Sequence, residues 1–275
     1  LRERLSDLVA GATVLVVGGG LTGLEAATEI AEARPDLDVA IATRGGLGDW
    51  LSERAQQHLR GVFDRLGITV HEHTDIAGVQ ANGGVTGDAR AVPAQVTVWT
   101  AGFAVHPIAA ATTMEVAGTG QIVVDATMRS VSHPEVYAVG DAGIADGPGG
   151  RPLRMSCASG LPMAWQAADS IAARLTGRKV PHIPIRYVNQ CVSLGRRDGI
   201  IQFVTADDRA KPSAITGKLA ARCKEFVCRG AAWVVTHPTM MLPTRRRRIE
   251  AIRTKVQAAT SSGSRRGTPR HPGRS

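Results

Sequence analysis

Val14-Leu-Val-Val-Gly-Gly-Gly-Leu-Thr-Gly-Leu-Glu25 is the stretch that decides the fold. Residues 13–17 form a continuous β-rich run that stops on three glycines, and the Ala/Glu-rich residues 21–33 read as a helix ended by Arg34-Pro35. Gly18, Gly20 and Gly23 keep the spacing G-x-G-x-x-G between that strand and that helix. Gly18 permits the tight turn, Gly20 lets backbone approach a pyrophosphate, and Gly23 lets the helix pack closely on the strand. The helix then presents its free N–H groups and positive dipole end to the phosphates. A plain glycine-rich turn is the competing reading. The intact strand–turn–helix context favours a dinucleotide held by Gly18, Gly19, Gly20, Thr22 and Gly23.

Working outward, residues 37–43 and 68–73 read as a second and third strand. An amphipathic helix lies between them at 52–66, with Ser52 as N-cap and Gly67 beyond its end. Strands alternating with helices of this length predict right-handed βαβ units and a parallel sheet. Asn82-Gly83-Gly84 signals a turn into a hairpin region at 85–92, and residues 96–100 form a further strand closing at Ala101-Gly102. A new module begins there, with short strands at 122–124 and 136–139, a loop at 147–150 and a helix at 162–175 ended by Gly177. Residues 183–204 alternate like strands and 214–227 like a helix. The expected division is 1–104 for a Rossmann-like unit, 105–180 for a second nucleotide-binding half, 181–243 for an α+β segment and 244–275 for a basic tail.

The net charge of +9 suggests a nucleic-acid binder only until it is located. Residues 244–275 hold ten of the 33 Lys and Arg and one acid, so this tail carries the whole excess and the remainder is neutral. A nucleic-acid role for the folded body has no electrostatic support. Cys157, Cys191, Cys223 and Cys228 form no Cys-x-x-Cys, which excludes a disulfide framework or zinc knuckle and fits a reducing compartment. They are read as ordinary small side chains, as are Trp50, Trp99, Trp165 and Trp233 in core or interface positions and the isolated His182 and His237. No apolar run approaches the ~18–20 residues of a membrane span. The chain opens on Leu1, which leaves it free to be part of a longer protein.

An acid about 20 residues beyond the fingerprint ordinarily holds the adenosine ribose. The second strand instead ends Thr43-Arg44. Arg44 either meets a 2′-phosphate, favouring NADPH, or simply faces solvent. Residues 136–141, Val-Tyr-Ala-Val-Gly-Asp, deliver Gly140 and Asp141 to a strand end, where a carboxylate suits a polyol hydroxyl. A common turn explains that pair equally well in isolation.

As an ordered set these motifs resemble the two-dinucleotide flavoproteins, the pyridine-nucleotide oxidoreductases, and among them type II NADH dehydrogenase-like proteins. The residues carrying the resemblance are Val17-Gly-Gly-Gly-Leu-Thr-Gly-Leu-Glu25, Thr97-Val-Trp-Thr-Ala-Gly102, Tyr137-Ala-Val-Gly-Asp141 and Ser159-Gly-Leu-Pro-Met-Ala-Trp-Gln-Ala-Ala168. The resemblance implies an α/β fold, a Rossmann-like NAD(P)-binding domain followed by part of an FAD-binding domain. Gly18, Gly20 and Gly23 would then bind the NAD(P)H pyrophosphate, and Glu25 would lie near the nicotinamide. Ala101 and Gly102 would form the close-approach junction, and Gly140 and Asp141 would hold the flavin ribityl chain. The helix entering at Pro162, with Met163 and Ala164, would aim its N-terminus at the flavin ring, with Gln166 on the acceptor side. It also implies an earlier FAD-type fingerprint, and this sequence shows one fingerprint, so the first FAD half is expected elsewhere.

The implied activity is FAD-dependent oxidation of NAD(P)H, with hydride passing to flavin N5 and electrons to a quinone-like acceptor. No side-chain base is needed, so the lack of a hydrolytic triad is expected. Alternatives are a ferredoxin- or rubredoxin-type reductase and a non-catalytic nucleotide-binding module. The expected setting is cytoplasmic, with a homodimer and a peripheral contact on the inner face of the plasma membrane as options. Arg245 to Arg248 and residues 226–235 are the candidates for that contact.

Overall fold

The computed structural model describes residues 1–181 and 184–237. After a short helix α1 (Arg2–Ser6), β1 (Thr13–Val17), α2 (Leu21–Ala33), β2 (Asp38–Ala42), α3 (Glu53–Arg65) and β3 (Thr69–His71) follow in strict alternation. Next come β4 (Ile76–Gln80), β5 (Gly83–Thr86) and β6 (Ala91–Pro93), then β7 (Val96–Trp99). β3, β2, β1 and β7 form one sheet in that order, all parallel, with Val14 opposite both Val39 and Val96. The continuous apolar run of β1 is what a parallel strand covered on both faces requires. Val14 and Val16 point to α2 and α3, against Leu24, Ala27, Leu59 and Phe63. Leu15 and Val17 point the other way, against Ile76 of the antiparallel β4–β5–β6 layer and Ala94 just beyond it. Each buried Val or Leu of this strand contributes roughly 1.5–3 kcal/mol.

The second module holds a two-stranded parallel sheet of β8 (Ile122–Val123) and β9 (Gly143–Ile144), and the helix α4 (Cys157–Leu175). Its core gathers Val124, Met128, Ala138, Met163, Ala167 and Tyr187. The chain ends its described part with an antiparallel sheet of β10 (Asn189–Ser193), β11 (Gly199–Val204) and β12 (Ala210–Thr216), followed by α5 (Lys218–Thr236). This last sheet does not stand apart. Val192, Leu194, Ile200 and Ala214 join the same core as Val14 and Leu24. The fully buried Gln202 accepts the Ser52 N–H at 2.9 Å and donates to the Lys211 and Phe203 carbonyls. Asp198, in the β10–β11 turn, takes His58 at 2.7 Å and Arg65 at 2.9 Å, both from α3.

Several boundaries differ from the sequence reading. The expected strand at 136–139 is extended, but its ladder is confined to a bridge from Tyr137 to Arg129, because no neighbouring strand of the described residues lies beside it. The helix expected from Pro162 starts five residues earlier at Cys157, with Ser156 as N-cap and Pro162 inside it. The missing Pro162 N–H leaves the carbonyl of Ala158, an exposed residue, without its helical donor. The helix expected over 214–227 is divided: residues 214–216 still belong to β12, and α5 begins only after Gly217, whose φ of +80 makes the corner. Trp99, Trp165 and Trp233 are exposed rather than core, and so are Cys157 and Cys228. Phe226, Val227 and Val235 of α5 are exposed as well. His182 and residues 244–275 lie outside the described residues. Among the described residues no helix is long and apolar enough to cross a membrane, and no group of His, Cys, Asp and Glu is placed to hold a metal ion.

Candidate functional site

β1 delivers its chain to the sheet's C-terminal edge, where the glycine loop turns into α2. Gly18 has φ +119, and a Cβ there would meet Thr100 Oγ1 at 2.8 Å and the Ala101 nitrogen at 3.0 Å. A Cβ on Gly23 would collide with the Gly18 carbonyl. Both glycines are therefore demanded by packing. Gly20, the N-cap of α2, differs: nothing lies within 4 Å of where its Cβ would be. The open space belongs to a cleft of about 940 Å³ that the loop borders together with Leu21 and Thr22. No acidic residue stands in the first turn of α2, whose unpaired N–H groups face that cleft.

The other strand ends complete the cleft. Arg44 after β2, Asp75 after β3, and Trp99, Thr100, Ala101, Gly102 and Phe103 at and beyond the end of β7 all line it. Arg44 pairs with Asp75 at 3.1 Å, both side chains being mostly exposed. Behind Gly19, the Trp50 indole N–H donates to the Gly19 carbonyl at 3.2 Å and braces the turn. The far wall is Arg154, Met155, Ser156 and Cys157, the entry into α4. The helix end that faces the glycine loop is thus Cys157.

Glu25 occupies the other side of α2. Its carboxylate accepts the Ser193 N–H at 3.1 Å and the Lys224 ammonium, a contact made across 199 residues of chain. These groups line a second cleft of about 1120 Å³ with Arg196, Arg197 and Cys228. Thr22 borders both clefts, so they meet at the first turn of α2.

The remaining expected residues lie in the second module. Gly140 and Asp141 sit on a single 3-10 turn (Gly140–Ala142), with the Asp141 side chain exposed and its carbonyl accepting the Gln121 amide at 3.1 Å. That turn packs on α4 so closely that a Cβ at Gly160 would lie 3.4 Å from the Gly140 Cα. Met163 is buried in the module's core and Ala164 is half-buried; neither lines the cleft of the glycine loop. Gln166 is also buried, its amide donating to the Ser170 hydroxyl and the Pro181 carbonyl. The structure therefore brings Gly18, Gly19, Gly20, Thr22, Arg44, Ala101 and Gly102 to one cleft. Glu25 lies around the helix from it, and the Gly140–Asp141 turn stands against α4.

The family model described as pyridine nucleotide-disulphide oxidoreductase matches residues 1–172. The chain belongs to this family. Its residues are 26% identical over 238 positions to the NADH dehydrogenase-like protein YutJ of Bacillus subtilis, covering 86% of this chain and 62% of that protein. They are 25% identical over 228 positions to the demethylphylloquinone reductase NdbB of Synechocystis, covering 80% of this chain and 54% of the relative. The chain thus spans between half and two thirds of the length of these relatives. A solved ferredoxin reductase from Rhodopseudomonas palustris shares the fold with a TM-score of 0.55 and 22% identity, over 78% of this chain and 57% of that one.

Asp75, Trp50 and Lys224 were not among the residues expected at the site. The general rule that ligands lie beyond the carboxyl ends of parallel strands is the signal that would have found Asp75, which follows β3. Nothing local marks Lys224, which meets Glu25 only through the docking of α5.

Proposed function

We propose that this member of the family is an FAD-dependent oxidoreductase that oxidises NAD(P)H and passes the electrons to a quinone-like acceptor. The observation that carries the reading is the glycine loop, where Gly18 and Gly23 are fixed by packing while Gly20 stands open to the cleft. In this reading the space at Gly20 takes the pyrophosphate, and the N–H groups of Leu21, Thr22 and Gly23 hold it. Glu25 borders the nicotinamide end, and the exposed Asp141 carboxylate accepts a ribityl hydroxyl. A bound flavin supplies a ring that takes a hydride from the nicotinamide and returns electrons in pairs or singly. The protein's own contribution is to bind, orient and shield. Overall, NAD(P)H and one proton reduce a quinone to its quinol.

The quinone acceptor draws support from the Synechocystis relative, a demethylphylloquinone reductase. The exposed Phe226, Val227 and Val235 beside Lys218, Arg222 and Arg229 on α5 support a peripheral contact with an anionic membrane surface. An absorbance spectrum tests the reading. Flavin bands near ~450 nm that bleach on adding NADH and recover with a soluble quinone support it. A colourless protein that still binds NADPH would leave a nucleotide-binding module, and transfer to a ferredoxin in place of quinone would make it a ferredoxin reductase.

A further inference from the structure

The end of β2 lacks the acid that ordinarily accepts the adenosine ribose hydroxyls and carries Arg44 instead. The structure supplies a carboxylate from the neighbouring strand end. The loop after β3 is stitched to the loop after β2 by two backbone bonds: the Thr74 N–H donates to the Thr43 carbonyl at 2.8 Å, and the His73 N–H to the Gly45 carbonyl at 3.2 Å. Thr43 and Thr74 are both buried at this seam. Arg44 and Asp75 stand immediately beyond it, side by side, and their side chains meet at 3.1 Å on the wall of the cleft that the glycine loop borders.

We propose that Asp75 is the specificity-determining residue for the 2′ position of the nucleotide, and that it turns the site toward NADH although Arg44 stands beside it. The inference rests on the nucleotide reading above and deepens it. With Asp75 in place, Arg44 is already neutralised, so a 2′-phosphate gains less from the guanidinium and is repelled by the carboxylate. A 2′-hydroxyl meets no such penalty and gains an acceptor. The pair is exposed, so screening by solvent keeps the discrimination modest, and the effect of Asp75 on NADPH affinity is roughly three- to tenfold.

Dissociation constants for NADH and NADPH, read from quenching of tryptophan fluorescence, test this in the wild type and in Asp75→Asn, with Trp99 on the cleft wall as reporter. The expected result is a wild type that prefers NADH, and an Asp75→Asn protein that binds NADPH roughly three- to tenfold tighter and NADH a few-fold weaker. Adding Arg44→Met to Asp75→Asn should abolish the gain for NADPH. If Asp75→Asn leaves the ratio of the two constants unchanged while NADH still binds, Asp75 is a bystander and the inference fails with the nucleotide reading intact. Retention of the gain in the double variant also overturns it. A wild type that binds neither nucleotide overturns both readings together.

Discussion

Gly23 lies against the carbonyl oxygen of Gly18, and the gap between them holds no methyl group. Both partners are backbone, so neither swings aside as a side chain would. Gly23→Ala should therefore lift α2 off the turn and cost about 1–3 kcal/mol. A shift of the urea midpoint at unchanged slope reports it. An unaltered midpoint would mean that the helix and turn move freely against one another.

Gly20 provides the complementary case. Its φ of −79 suits any residue, and its Cβ position is empty. Gly20→Ala is expected to leave stability within ~0.5 kcal/mol of the parent. It should weaken NADH binding by about tenfold or more, since the methyl stands where a pyrophosphate would approach. Titration calorimetry beside a thermal melt separates the two effects, and equal affinity would remove the pyrophosphate from this loop.

Gln202 ties the last sheet to the start of α3. Gln202→Leu keeps the volume but strands the Ser52 N–H and the Lys211 carbonyl, next to a Ser52 hydroxyl that is already buried without a partner. The expected loss is about 2–3 kcal/mol. Denaturant unfolding should show it, and a loss below ~0.5 kcal/mol would place water at those groups.

Asp198 makes an acid-sensitive joint. Burial pushes its carboxyl up, but hydrogen bonds from His58 and the Gly199 N–H, with Arg65 beyond them, outweigh burial and hold it below the ordinary 3.8. A carboxylate lowered in the folded state contributes stability that is complete above 3.8 and is lost as pH falls through the folded value. Asp198→Asn should cost about 1 kcal/mol at neutral pH, because Arg65 is largely exposed. It should also make the unfolding free energy less steep between pH ~5 and ~2. An acid limb as steep in the variant as in the parent would assign the sensitivity to another group.

How much of this was legible in the sequence depends on the range over which each feature is made. The strand–glycine–helix unit at 13–33 was readable because its three determinants lie within one βαβ step: an apolar run, a turn spacing and a helix stop. The strand at 136–139 has the right residues, but a ladder needs a neighbour, and residue preference says nothing about which strand lies alongside. Gln166 was assigned from the resemblance, and its burial was readable separately. Met163, Gln166, Ala167, Ser170 and Ala173 fall on one buried stripe of α4, a spacing of three and four that the sequence displays openly. Lys224 reaches Glu25 through tertiary docking alone, and Arg44 read in isolation left a 2′-phosphate and open solvent equally open, with nothing local to mark its pairing with Asp75.

Val192, Leu194 and Ile200 complete a core begun by Val14 and Leu24, more than 160 residues earlier. During synthesis at about 5–20 residues per second, the apolar flanks of α2 and α3 wait roughly 6–25 seconds before β10 and β11 are made to cover them. Biogenesis of this chain is therefore gated by its distal hairpin. A nascent chain halted before residue 189 would carry an exposed greasy flank, attractive to holding chaperones and prone to clumping.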